Sequence, residues 1–125
     1  MEQLTVTVKQ PMAEVEAAVR SALADQGFGI LAEIDVAQII ATKLGVQRAP
    51  LKILGACNPA LVNQALDVSL DVALSLPCNV VLHALDATTT TVTIADPAII
   101  MPGDQFRELV ADARERLGAA LAALG

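Results

Sequence analysis

A chain of 125 residues with net charge −6 and neither tryptophan nor tyrosine is long enough for one domain with its own core. It lacks both marks of a nucleic-acid binder: clustered Lys and Arg to displace counterions and rings on which bases stack. Apolar residues make up 54% but aromatics only 2%, so aliphatic side chains must fill the core, with Phe28 and Phe106 as its ring anchors.

The elements follow from periodicity. Leu4, Val6 and Val8 alternate with Thr5, Thr7 and Lys9, the pattern of a half-buried strand. Pro11 suits the first turn of a helix. Met12, Val15, Val19, Ala22 and Leu23 then recur at helical spacing up to the stop at Gly27. Phe28 to Ile34 is apolar enough for a central strand, and Asp35 caps a short helix closed by Gly45. Pro50 opens a strand, Leu51 to Cys57, with Lys52, Leu54 and Ala56 on one face and Leu51, Ile53, Gly55 and Cys57 on the other. Asn58 caps and Pro59 starts the next helix, whose stripe is Leu61, Val62, Ala65 and Leu66.

Residues 69–75 fit a helical turn or a loop equally. Cys78 to Leu85 reads as a strand with Cys78, Val80, Leu82 and Ala84 on one face, and Thr88 to Ala95 pairs back with a threonine-rich solvated side. Asp96-Pro97 and Pro102-Gly103 are turn signals around an apolar connection, Ile99-Ile100-Met101. Asp104 caps a last helix carrying Phe106, Leu109, Val110, Ala113, Leu117, Ala120, Leu121 and Leu124. On its solvated side, Asp112 and Arg116 are spaced to attract each other.

The order β-α-β-α-β-α-β-β-α, with its closing hairpin, excludes a wholly parallel sheet. It predicts an α+β two-layer sandwich: one domain over 1–125, a largely antiparallel or mixed sheet, and helices packed on one face. The longest apolar stretch, around Ile94 to Pro102, is broken by Asp96 and prolines and is too short to span a bilayer. The opening residues carry no basic n-region. The expectation is a cytoplasmic protein with reduced thiols, no membrane or nucleic-acid partner, no metal and no cofactor.

Three segments carry a resemblance: Phe28-Gly29-Ile30-Leu31-Ala32-Glu33-Ile34-Asp35-Val36, then Ile53-Leu54-Gly55-Ala56-Cys57-Asn58-Pro59, then Leu76-Pro77-Cys78-Asn79-Val80-Val81. In this order they resemble the bacterial and archaeal family called domain of unknown function 302, over nearly the whole chain. The resemblance implies a curved, largely antiparallel sheet under helices, similar in topology to half of a TATA-binding protein, and a homodimer. It implies no activity, and the fold likeness implies no DNA binding.

The candidate site is the two Cys-Asn pairs, Cys57-Asn58 and Cys78-Asn79, which hold the only cysteines. Cys57 stands just before a helix N-terminus, where unpaired N–H groups favour a thiolate, and Asn58 and Asn79 have amide N–H groups to offer a bound anion. The leading reading is a small-ligand or anion-binding, or accessory, protein with its site at these residues. One rival is a thiol enzyme or redox couple using Cys57 and Cys78. Another is a structural or interaction homodimer with an apolar patch near Ile99-Ile100-Met101. The plain alternative for the thiols is that both are small buried hydrophobes and Asn58 is only a cap. Two cysteines are too few for a zinc site. His83, on the opposite strand parity to Cys78, has no nucleophile to serve. Glu33 and Asp35 do not form a carboxylate pair.

Overall fold

The computed structural model describes residues 4–124; residues 1–3 and 125, which the single-domain expectation over 1–125 includes, lie outside them. Five strands, β1 (Leu4–Val8), β2 (Gly29–Asp35), β3 (Leu51–Cys57), β4 (Cys78–Asp86) and β5 (Thr89–Ile94), form one sheet in the order β1-β5-β4-β3-β2. Every neighbouring pair is antiparallel, so the sheet is not mixed. The helices are α1 (Met12–Asp25), α2 (Val36–Leu44), α3 (Pro59–Val68), the short α4 (Pro97–Ile100) and α5 (Arg107–Ala122). Residues 70–75, ambiguous in sequence, form a 3₁₀ turn.

The core lies between the sheet and α1, α3 and α5. Leu54, Val80, Leu82, Val92 and Ile94 from the strands meet Val15, Val19 and Leu23 of α1 and Leu117 and Leu121 of α5. Phe28 and Phe106 are both buried in it. Register explains the division. Leu54 pairs with Val80 and Leu82 with Val92, so side chains of one parity all enter the core. The other parity, including Ile53, Val81, His83, Thr91 and Thr93, forms the open face.

The caps form where the sequence places them. Asp35 accepts a hydrogen bond from the Gln38 N–H at 3.0 Å, Asn58 accepts one from the Leu61 N–H at 3.2 Å, and Gly45 ends α2 in the left-handed region.

Four expectations change. The segment expected as a central strand is β2, an edge strand exposed at all but one of its positions, with a bulge between Ile30 and Ala32. Pro11 precedes α1 as its cap residue rather than occupying its first turn. Asp104 begins a single 3₁₀ turn and makes no capping bond to α5. Ile100 and Met101 are buried, leaving only Ile99 of the expected apolar patch exposed, because α4 turns its stripe onto α5.

Candidate functional site

The helix-side end of β3 and β4 closes around a small cavity of about 40 Å³. Ala56 and Cys57 border it from β3, Cys78 from β4, Leu61 and Ala65 from α3, Ile100 from α4, and Ala113 and Leu117 from α5. Phe28, Val62, Val72, Leu76, Pro97 and Met101 also border it, and no charged side chain does.

Asn58 is buried beside this cavity, but both ends of its amide are committed. Its Oδ1 caps α3, and its Nδ2 donates to the Gln26 carbonyl at 3.4 Å. Arg116 Nη1 donates to the same carbonyl at 3.3 Å, so the end of α1, the start of α3 and the middle of α5 are joined at one atom. Gly27 makes the junction possible. It has φ +86°, and a Cβ there would come within 3.0 Å of Asn58 Nδ2.

Asn79 does not share the site. It is exposed and pairs with Gly55 on the parity that leaves the core. The two asparagines therefore do not converge on one spot: the Asn58 amide is engaged at its oxygen and its nitrogen, and Asn79 lies on the other side of the ladder.

The cysteines are free, and the structure does not bring them together as a pair. Cys78 faces Ala56 across the ladder, so Cys57, one residue further along, takes the opposite parity. Cys78 is buried with Sγ 4.0 Å from the Ala95 carbonyl oxygen, while Cys57 is half-buried at the strand end. Burial pushes the Cys78 thiol up to about 11, and desolvation also raises Cys57 above its ordinary value. The surroundings of Cys57 do not favour the thiolate. Apolar walls penalise its charge, while the Asn58 side chain takes up the Leu61 N–H. A nucleophile or a dithiol couple needs the reverse of these conditions.

His83 lies on the open face, half-buried, opposite Leu51 and Thr91. Among the described residues no group of three or more His, Cys, Asp or Glu is placed to hold a metal ion. Among the described residues no helix is long and apolar enough to cross a membrane.

Two polar features escaped the sequence reading. Asp96, read as turn chemistry, is buried. It caps α4 through the Ala98 N–H at 2.9 Å and takes a two-point contact from Arg114, Nε at 3.0 Å and Nη2 at 2.8 Å. This lock holds α4, one wall of the cavity, against α5. The second feature is the cluster of Glu16, Arg20, Glu33 and Lys52 beside the β2 edge, with contacts of 2.7–3.0 Å. Hydrogen bonds from Lys52 lower Glu33, and those to Glu33 and Glu16 raise Lys52. Lys52 on the same strand parity as Leu54 and Ala56 was the available signal, since a charge on a core-facing register needs partners.

The model of the family described as "Domain of unknown function DUF302" matches residues 4–124. A solved structure, the uncharacterized conserved protein DUF302 from Bacillus stearothermophilus, is 29% identical. The match covers 100% of this chain and 99% of that one, with a TM-score of 0.89. No curated protein matches.

Proposed function

Since the chain belongs to the family of domain of unknown function DUF302, a reading of its role has to come from its own site, and we propose that it is a small-ligand-binding domain whose ligand is apolar and sits in the cavity beside Cys57, Asn58 and Cys78. The observation that carries this reading is the composition of the lining: aliphatic residues, Phe28, Met101 and the two cysteines, with the Asn58 amide bonded at both its oxygen and its nitrogen. An apolar cavity of this kind stays dry and admits apolar guests, whereas an anion requires donors or positive charge. A volume of about 40 Å³ suits a group of a few heavy atoms. Alanines at 56, 65 and 113, from β3, α3 and α5, leave the space that larger side chains would fill.

Xenon is the probe. Methyl NMR of the whole chain under xenon pressure is expected to shift resonances of Val62, Ile100 and Met101, which border the cavity, and to leave those of exposed Leu31 and Val46 in place. Ala113→Leu is expected to fill the space and abolish those shifts. Unmoved cavity methyls would overturn the proposal, as would saturable shifts of the Asn58 amide on titration with inorganic phosphate.

A further inference from the structure

A dry cavity admits a guest only if one of its walls moves. All but three of the residues that border this one are fully buried; Cys57, Val62 and Leu76 are half-buried and mark its rim. The rim therefore lies where the end of β3 and the early part of α3 meet the chain that leads from α3 into β4.

The walls are not equally fixed. β3 and β4 each have a hydrogen-bonded strand on both sides. α3 and α5 bury Leu61, Ala65, Ala113 and Leu117, and α4 is locked through Asp96 to Arg114. Residues 69–77, which supply Val72 and Leu76 to the lining, are held far less firmly. Val72 is the one fully buried residue of this strap, and the other five residues of its 3₁₀ turn are exposed. Its polar side chains beyond Ser69, those of Asp71 and Ser75, make no hydrogen bond or ion pair among the described residues. The bonds within it, Val72 N–H to the Ser69 carbonyl at 3.3 Å and Leu76 N–H to the Ala73 carbonyl at 3.4 Å, are local and long.

The apolar content of the strap does little to hold it down. Leu70 and Leu74 are 77% and 86% exposed, so displacing the strap leaves their contact with water as it was. Only Val72 and part of Leu76 become uncovered. The balance between closed and open depends on what differs between the two states, and here that difference is small.

The ends of the strap, by contrast, are anchored. The Ser69 N–H donates to the Ala65 carbonyl at 3.0 Å, and Ser69 Oγ accepts from the Asp71 N–H at 3.2 Å. Pro77 lies on Gly55, where an added Cβ would come within 2.7 Å of Pro77 Cγ. Two fixed points with a loosely held span between them are the anatomy of a lid.

We propose that residues 70–76 are the lid of the cavity, swinging between Ser69 and Pro77 to admit an apolar guest past Cys57 and Val62. The purpose of the lid rests on the ligand reading above, but its motion can be followed without a ligand. Cys78, buried, borders the cavity two residues beyond Leu76, so its thiol reports opening. The measurement is alkylation of Cys78 by iodoacetamide in the full chain carrying Cys57→Ser. The rate is expected to be independent of urea well below the unfolding transition, since a local opening exposes little surface. Val72→Ala and, independently, Leu76→Ala are each expected to raise it by about 5-fold or more. Leu74→Ser, on the outer side of the lid, and Val19→Ala, in the core but not in the lining, are expected to leave it unchanged. A Cys78 that reacts only as the whole fold unfolds, or never, overturns the proposal. So does a Val19→Ala variant that reacts as much faster as Val72→Ala does. Urea-independent labelling without xenon shifts would sink the ligand reading and keep the lid, and the reverse pattern would sink the lid alone.

Discussion

Leu117→Ala is expected to destabilise the fold by about 2–5 kcal/mol, measured by urea unfolding of parent and variant. Leu117 is 1% exposed and belongs both to the central core and to the cavity wall. Truncation removes buried methyl groups from the middle of α5, where the neighbours are held by the sheet on one side and α3 on the other, so the site has little freedom to collapse. The space released joins a void already about 40 Å³ in size. A small apolar guest then binds the folded variant and not the unfolded chain, and saturation stabilises by mass action. Benzene is therefore expected to recover part of the lost stability in Leu117→Ala and to do little for Val19→Ala, buried but not among the residues that line the cavity. Equal effects of benzene on both variants would show that the new space does not connect to the cavity.

Asp96→Ala is expected to cost about 2–4 kcal/mol, from one lost helix cap and charge-assisted hydrogen bonds to Arg114. Asp96→Asn retains an acceptor for the Ala98 N–H and is expected to lose less. The two variants differ more clearly in pH dependence. Hydrogen bonding from Arg114, opposed by burial, holds the Asp96 carboxyl below its ordinary value of 3.8. A carboxylate with a lowered folded value stabilises the fold above its unfolded value and loses that contribution as pH falls through the folded one. Parent stability should thus decline across the acid range below about pH 4, and Asp96→Asn should decline less steeply there. Unfolding curves at pH 7 and pH 3 make the comparison; identical acid limbs would remove Asp96 as a source.

Local chemistry was legible in the sequence wherever one residue settles one conformation. Asn58 and Asp35 cap, Gly45 stops, and the alternation of Val80, Leu82, Val92 and Ile94 separates core from open face, because each signal involves nearest neighbours along the chain. What was not legible depends on which strand lies beside which. The run from Phe28 to Ile34 has the composition of a buried strand, but exposure follows from its place at the end of the sheet, and periodicity does not encode strand order. The site was half legible for the same reason. Spacing brought Cys57 and Cys78 to adjoining strand ends, yet a shift of one residue in register decides whether two side chains share a face, and here it separates them. Asp96 and Arg114 stand 18 positions apart with no periodic relation, so only the packing of α4 on α5 joins them.

The pairing of β1 with β5 bears on how the molecule assembles. All other ladders join strands that follow one another in the chain, whereas Val8 meets Thr90, 82 positions later. Bringing such remote segments together carries the largest loop-closure entropy in the sheet. Docking of the N-terminal strand thus carries an entropic cost that the neighbouring ladders do not. While it is away, β5 presents bare peptide groups along one side, a ready template for a neighbouring chain. Resistance to aggregation thus rests on Leu4, Val6 and Val8 remaining in place.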